Sequence, residues 1–182
     1  MAELTIRKAD ESDAPAIIEL LQSSMGWVRG EPNEALFGWK HQQNPFGASP
    51  SWIATDEHRV VAFRTMLRWE FLRDGVVVRA ARAVDTVTHA NYRGRGLFTT
   101  LTGAAVSDLR AEGVEVIFNT PNDNSRPGYL KMGWSEVGAL RTWARLSHPR
   151  VLLRVVRSRI PAEIWSEQAE ASLPGIDALD ET

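Results

Sequence analysis

The chain has 182 residues, of which 43% are hydrophobic and 24% are charged. This length and composition predict one globular domain, with room for an appendage. The 21 basic and 23 acidic residues give a formal net charge of -2. That balance argues against nucleic-acid binding, which requires a strongly positive surface. The chain has no cysteine, so disulfides, thiolate metal sites and a cysteine nucleophile are excluded.

The beginning of the chain alternates apolar and charged residues, which is not the pattern of a signal peptide. No later segment is apolar over a length that could span a membrane. We therefore expect a cytoplasmic protein. The histidines are scattered singly and lack metal-ligand spacing, so no metal site is predicted.

The first half of the chain predicts a strand, two helices and three antiparallel strands. Gly26 ends the first helix, and Asp74-Gly75 is a typical hairpin turn. The predicted segments are a strand around Leu4 and Ile6, helices between Asp13 and Gly26 and over 32–42, and strands over 51–55, 60–72 and 76–88.

The second half predicts a β-α-β crossover followed by a short helix and two strands. The predicted order is therefore strand–helix–helix–strand–strand–strand–helix–strand–helix–strand–strand, a mixed α/β sheet. The segments of this half are a helix from Leu97 to Gly113, a strand over 114–118, a helix over 125–132, and strands over 134–137 and 140–146.

Residues 1–146 are expected to form the main domain and residues 147–182 a helical extension with an acidic tail. The segment 149–159 has helical periodicity with three arginines on one face. Two interpretations remain open. The helix packs on the domain with the tail pairing to it, or it forms a weak basic surface for an anionic membrane or partner.

The most informative stretch is Arg93-Gly94-Arg95-Gly96-Leu97-Phe98, between a predicted strand and a predicted helix. Its glycines permit a tight path, and its free N–H groups at a helix N-terminus suit a pyrophosphate. The arginines add charge that matches phosphate oxygens. A plain tight turn is the alternative. A dinucleotide-binding fold fits poorly, because its third glycine would fall at Thr99, and no Gly-Lys-Ser/Thr follows as in a P-loop.

A second motif follows at a fixed separation, and together the two resemble the GNAT superfamily of acyl-CoA-dependent N-acyltransferases. The family carries Arg/Gln-x-x-Gly-x-Gly/Ala at this loop, and here Phe98 stands where a small residue is usual. After the next strand it carries Asn-x-x-Ala/Ser-x-x-x-Tyr, then Gly-Phe/Trp. The matching residues are Arg93, Gly96, Asn122, Ser125, Tyr129 and Gly133-Trp134. The resemblance covers roughly residues 3 to 146.

The resemblance implies the GNAT fold and transfer of an acetyl group from acetyl-CoA, as co-substrate, to a primary amine of a small molecule or protein. Backbone groups of one strand would bond the pantetheine arm, and the loop amides would hold the pyrophosphate. The implied cofactor-binding residues are Val87, Thr88, Arg93, Gly94, Arg95, Gly96, Leu97, Phe98, Asn122 and Ser125. If the Phe98 side chain turns inward, it narrows the acyl-CoA pocket. If it turns away, only its backbone N–H contributes to cofactor binding.

Tyr129 would lie near the thioester sulfur, as general acid for the departing thiolate or as a packing residue. Asp85 is the candidate general base, since it is an acid within an otherwise apolar strand. Arg82 could instead pair with it in a simple ion pair. His89 is a second candidate base, although a turn role is expected at the end of a strand.

Two functions remain open at this stage. One is the N-acyltransferase, and the other is a non-catalytic acyl-CoA-binding or partner-binding module with the same fold. A homodimer through the edges of the last strands is also possible. The sequence does not identify the acceptor.

Overall fold

A mixed five-stranded sheet organises the chain, for which the computed structural model describes residues 4–28 and 30–139. Helices pack on both faces of this sheet. The strands are β1 Leu4–Lys8, β2 Ser51–Asp56, β3 Arg59–Arg73, β4 Val76–Thr88 and β5 Val116–Phe118. The helices are α1 Ala14–Met25, α2 Asn33–Phe37, α3 Leu97–Ala111 and α4 Arg126–Lys131.

The spatial order of the strands is their order in the chain, β1-β2-β3-β4-β5. The first four strands pair antiparallel, and β5 pairs parallel to β4 after the crossover through α3. The mixed α/β architecture predicted from the sequence is therefore confirmed.

Local sequence signals account for most of the element boundaries. Gly26 ends α1 with a left-handed φ of 80°. The turn between β3 and β4 needs positive φ at both central residues, and Asp74 and Gly75 adopt 53° and 76°. The predicted second helix is present, but it continues from α2 into a π-helical turn over Gly38–Gln42.

Two apolar cores lie on opposite faces of the sheet. On one face, Leu101 and Leu109 of α3 pack with Trp52 and Met66, and Tyr129 of α4 belongs to the same core. On the other face, α1 and α2 cover a second core. Its members include Ile17, Leu21, Phe37, Ile53 and Phe63. Each helix face thus follows the periodic apolar pattern that predicted it.

The chain after α4 differs from the prediction. Residues 134–139 form no strand, so the strand expected over 134–137 was wrong. The reason is local: the Trp134 N–H bonds back to the Tyr129 carbonyl and finishes the helix instead of a strand ladder. The strand predicted over 140–146, the helix over 149–159 and the domain boundary at residue 146 lie outside the described residues.

Residues Met1–Glu136 form one compact unit. No helix among the described residues has both the length and the apolar character needed to cross a membrane.

Two glycines, one inside α3 and one just before it, predict opposite effects of an added methyl group on stability. Gly103 is exposed in the helix interior, and an added Cβ would meet nothing within 4 Å. Gly96 precedes the helix with a φ of 76°. We expect Gly103→Ala to raise the free energy of unfolding by up to about 1 kcal/mol, and Gly96→Ala to lower it by about 1 kcal/mol. Urea unfolding measures both, and a stabilising Gly96→Ala would contradict the left-handed start.

Candidate active site

The glycine-containing loop forms an open cradle at the N-terminus of α3. Gly94 and Gly96 have φ values of 75° and 76°, and a Cβ added at either would meet nothing within 4 Å. Among the described residues, no side chain caps this helix end. Its first-turn N–H groups therefore face outward with the positive end of the helix dipole. This arrangement fits the predicted pyrophosphate site.

Both arginines of the loop contact the segment that precedes it. Arg95 stacks on the Tyr92 ring, with its guanidinium carbon 4.9 Å from the ring centroid. Arg93 Nε donates to the Thr88 carbonyl at 3.4 Å, at the end of β4. Both guanidinium groups thus stay close to the backbone that approaches α3.

A gap opens beside β4 next to this loop. β5 pairs with β4 only along Ala80–Arg82, while β4 continues to Thr88 in its pairing with β3. Arg82 Nη2 donates to Thr120 Oγ1 at 2.7 Å, across the mouth of the gap. Among the described residues, β4 therefore continues beyond Arg82 without strand pairing to β5.

Of the two backbone contacts predicted along β4, the geometry favours Thr88. The His89 N–H donates to the Val61 carbonyl of the neighbouring segment at 2.8 Å. Backbone groups alternate between the two edges of a strand, so those of Val87 point toward Phe63 of β3. Those of Thr88 point into the gap.

A one-residue bulge interrupts β4 at the same level. Phe63 pairs with Val87 and Thr65 with Val84, so Asp85 and Thr86 together oppose a single residue of β3, Arg64. Asp85 has a positive φ of 40°, which is uncommon outside glycine. The bulge sends the Asp85 side chain to the α2 face of the sheet and the Thr86 side chain to the α3 face.

On the α3 face lies a set that we call the Arg64 cluster: Arg64, Thr86, Phe98 and Tyr129. Arg64 is fully buried, and its Nη1 donates to the Tyr129 hydroxyl at 2.7 Å and to Thr86 Oγ1. Burial lowers the pKa of the Arg64 guanidinium, and its contact with Tyr129 offsets part of that effect. The phenol oxygen therefore sits beside a buried cation.

The end of α4 fixes the Tyr129 ring. The Trp134 N–H bonds to the Tyr129 carbonyl at 3.2 Å, the Gly133 N–H bonds to the Leu130 carbonyl at 3.0 Å, and Gly133 has a φ of 84°. These bonds form a Schellman motif, whose usual apolar contact is here the packing of Trp134 on Tyr129, with ring centroids 4.8 Å apart. The Gly-Trp pair of the sequence thus explains the position of the tyrosine.

The start of α4 is held by the two polar residues predicted near the pantetheine. Asn122 Oδ1 accepts from both the N–H and the hydroxyl of Ser125, each at 3.0 Å. These contacts use the oxygen of the Asn122 amide and leave its Nδ2 as a donor group. Asn122 and Ser125 are thus brought together at the entrance of the helix that carries Tyr129.

Phe98 turns inward, which answers the question left open by the sequence. Its ring packs edge-on against Tyr129, with ring centroids 5.2 Å apart. The Phe98 ring centroid is also 5.7 Å from the guanidinium carbon of Arg64. A Cβ at Gly128 would come within 2.9 Å of Phe98 Cε1, so the absence of a side chain at Gly128 makes room for the ring.

On the α2 face lies a second set, the Asp85 cluster: Lys40, His41 and Asp85. Asp85 Oδ2 is 2.7 Å from Lys40 Nζ and 2.8 Å from His41 Nε2. Burial raises the pKa of the Asp85 carboxyl, but hydrogen bonds and charge from His41 and Lys40 outweigh burial and hold the pKa below its usual value. The suggested partner Arg82 was wrong, since Arg82 bonds Thr120.

His89, the second candidate base, has the turn role that its position suggested. Its ring accepts from the Asn91 N–H at the start of the short helical turn Ala90–Tyr92, and its Nε2 faces Arg59 at 3.0 Å. The structure does not bring it together with Tyr129 or Asp85.

Sequence reasoning missed four residues of these clusters, namely Arg64, Thr86, Lys40 and His41. Arg64 stands alone among apolar neighbours in the first half of β3, and that exception to the pattern was a usable signal. Lys40 and His41 carry no such signal, because their contact with Asp85 depends on the bulge and on the π-helical turn.

A family model described as an acetyltransferase (GNAT) domain matches residues 5–137. The chain belongs to the GNAT acetyltransferase family. The resemblance noted in the two motifs is thereby confirmed, and membership of the family supports acyl transfer as the chemistry of this chain. A sequence search of curated proteins finds no match.

Solved structures of GNAT acetyltransferases share the fold. A predicted acetyltransferase with acetyl-CoA from Clostridium acetobutylicum is 20% identical, covers 81% of this chain and 99% of its own, and has a TM-score of 0.64. Glucosamine-6-phosphate N-acetyltransferase from Arabidopsis thaliana is 19% identical, covers 78% of this chain and 98% of its own, and has a TM-score of 0.61.

A third structure is an aminoglycoside acetyltransferase from an uncultured soil metagenomic sample, in complex with sisomicin. It is 18% identical, covers 79% of this chain and 97% of its own, and has a TM-score of 0.61. At these identities the similarity shows the GNAT fold.

The Asp85 cluster predicts a pH dependence of stability. The pKa of Asp85 is lowered in the fold, so its ion pairs stabilise the protein above the ordinary carboxyl pKa of 3.8, and this contribution is lost as the pH falls through the folded-state pKa. We expect Asp85→Asn to lower the free energy of unfolding by about 3 kcal/mol at pH 7, because the half-buried Lys40 ammonium and the buried His41 ring lose their anionic partner.

Urea unfolding at pH 7, 4 and 2.5 measures the effect, and the difference from wild type should shrink at the lowest pH. Asp123→Asn, at an exposed position on the loop before α4, is the matched control. A deficit for Asp85→Asn that is constant with pH would contradict the ion pairs.

Proposed function

We propose that this GNAT protein is an N-acyltransferase that moves an acetyl group from acetyl-CoA to a primary amine. The observation that carries the proposal is the gap beside β4, bordered by the open glycine cradle at one end and by the buried Tyr129 hydroxyl at its side. Thioester transfer requires an anion site, a free strand edge and a proton donor, and these three features are the proposed sources of them.

Binding of the co-substrate draws on backbone groups and a few side chains. The first-turn amides of α3 and the charges of Arg93 and Arg95 suit the pyrophosphate. Backbone groups of Thr88 suit the amides of the pantetheine arm, and Asn122 Nδ2 is a donor for one of its carbonyls. When bound, acetyl-CoA supplies the activated thioester. Most of the rate enhancement then comes from holding amine and thioester together.

Tyr129 serves the leaving group in this proposal. A phenol and a thiol have comparable reference pKa values, near 10 and 8.5, so proton transfer from the Tyr129 hydroxyl to the departing sulfur is feasible. The helix-end motif and the ring of Trp134 hold the phenol in one orientation, which limits the reorganisation needed during transfer.

In this proposal the proton released by the amine passes to the Asp85 cluster. Asp85 alone is a weak base, because its carboxylate is engaged by the Lys40 ammonium and by His41 Nε2. An ionised carboxylate only accepts hydrogen bonds, so His41 Nε2 is the donor in their contact. In the neutral ring the lone pair then lies on Nδ1, a buried atom for which the described residues supply no partner. Asp85 and His41 together form the proposed proton acceptor.

Amino sugars are the first acceptors to test. The names of the similar structures include a glucosamine-6-phosphate N-acetyltransferase and aminoglycoside acetyltransferases, and all of these substrates carry primary amines on a sugar. Protein N-termini belong in the same panel. A cytoplasmic location and a homodimer remain part of the proposal.

Calorimetric titration with acetyl-CoA tests the cofactor site. Wild type should bind, and Gly96→Glu should lose binding because it puts bulk and negative charge where the phosphates lie. Gly96→Ala separates backbone strain from charge, and Gly103→Glu places the same carboxylate on the exposed face of α3 as a control. Folded wild type that binds no acetyl-CoA would remove the proposal.

Wild type that binds acetyl-CoA but acetylates no amine across a broad panel would favour the alternative, a non-catalytic acyl-CoA-binding module. The loop variants behave alike under both functions, so turnover is the deciding measurement.

Tyr129→Phe tests the general acid. Loss of the hydroxyl should reduce kcat about 100-fold, while the dissociation constant of acetyl-CoA stays unchanged, because the ring packing is retained. Steady-state kinetics and calorimetry measure the two quantities, and thermal unfolding checks the fold. Full turnover by the double variant Tyr129→Phe, Asp85→Asn would eliminate both proton-transfer roles.

A further inference from the structure

Arg64 is a buried cation at the bulge of β4. Its side chain is 0% exposed and shares a face with Met66, in the core beneath α3. No carboxylate of the described residues lies within 4 Å of its guanidinium, and its Nε has no hydrogen-bond partner among them. A buried charge of this kind is costly unless the surroundings or a bound group stabilise it.

Hydrogen-bond chemistry fixes the direction of the contact with Tyr129. A guanidinium only donates, so the two N–H bonds of Arg64 Nη1 go to Thr86 Oγ1 and to the phenol oxygen of Tyr129, which must both accept. The single hydrogen of the Tyr129 hydroxyl therefore points away from Arg64. Arg64 thereby prepares the phenol as a donor toward another group.

Aromatic rings shield this contact from water. The guanidinium carbon lies 5.3 Å from the Tyr129 ring centroid and 5.7 Å from that of Phe98. Ring faces stabilise a cation without neutralising it, and exclusion of water strengthens its effect on nearby charge. Among the described residues, Tyr129 contacts Arg64 of β3, Phe98 of α3 and Trp134, and of these Arg64 is the charged one.

We infer that Arg64 is a positioning residue that holds the Tyr129 hydroxyl as a proton donor and stabilises the phenolate that forms when this proton passes to the departing sulfur. The inference rests on the proposed function. In the transfer step the C–N bond forms, the C–S bond breaks and its electron pair goes to sulfur. Tyr129 gives its proton to that sulfur, and the Arg64 N–H stabilises the phenolate until solvent returns a proton. The proton released by the amine passes to the Asp85 cluster.

A double-mutant cycle tests whether Arg64 acts through Tyr129. Arg64→Met replaces the side chain with an unbranched apolar one, and Arg64→Lys keeps a charge as the conservative control. We expect Arg64→Met to lower kcat at least tenfold with an unchanged KM for acetyl-CoA, and Arg64→Lys to keep part of the activity. In a Tyr129→Phe background, Arg64→Met should cause no further loss. Independent, multiplicative losses would overturn the inference, as would full turnover by Arg64→Met.

A binding experiment without turnover tests whether the Arg64–Tyr129 pair favours a negatively charged sulfur. At pH 9 a thiol with a reference pKa near 8.5 is mostly thiolate, so wild type should bind CoA about tenfold more tightly than desulfo-CoA. At pH 6.5 this preference should fall toward unity. Arg64→Met should lose the preference for CoA at pH 9. If this variant keeps the preference, the proposed role of the Arg64 guanidinium is wrong. Arg64→Lys, which keeps the charge, should keep the preference at pH 9.

The two levels of the hypothesis fail in different ways. Wild type that binds neither acetyl-CoA nor CoA, or that acetylates no amine, overturns the proposed function and the role of Arg64 with it. Suppose that wild type acetylates an amine, but the losses of kcat in Arg64→Met and Tyr129→Phe are independent. The proposed N-acyltransferase function then stands, and only the inference about Arg64 is removed.

Discussion

The extra residue in β4 determines which side chains meet on each face of the sheet. Strand side chains alternate with a period of two, so one inserted residue changes the face of everything beyond it. Here the bulge directs Asp85 toward Lys40 and His41, and it directs Thr86 toward Arg64 and Tyr129. Without it, these polar groups would point into the wrong apolar cores.

The bulge also separates two polar clusters of different charge character. The Asp85 cluster under α2 has an acid held ionised by cations, and the Arg64 cluster under α3 has a phenol held beside a buried guanidinium. The same backbone irregularity therefore places a carboxylate on one face of the sheet and a buried arginine–phenol pair on the other.

Most of the fold could be predicted from the sequence, because its elements depend on local signals. Periodic apolar residues, Gly26, the Asp74-Gly75 turn and the glycine loop before α3 set boundaries that the structure reproduces. The strand expected over 134–137 failed since Gly133 and Trp134 serve the end of α4. An alternating pattern over a few residues cannot distinguish a strand from a helix-capping segment.

The candidate site was predictable only where a motif marks it. Tyr129, Asn122 and the glycine loop stand at motif spacings, whereas Lys40 and His41 meet Asp85 through tertiary structure. Arg64 lies between these cases: its charge within an apolar strand was visible, but its partner, 65 positions along the chain, was not. Long-range contacts of buried polar groups depend on packing that no local pattern records.

The fit between Phe98 and Gly128 has a consequence for how this protein can change over evolution. The ring occupies the volume that a side chain at position 128 would need, so the two positions, on different helices, share one space. A larger residue at 128 is tolerated only if position 98 becomes small, and a small residue at 98 by itself leaves a void against Tyr129. The two sites should therefore covary among close homologues, with one large and one small residue as the usual combination.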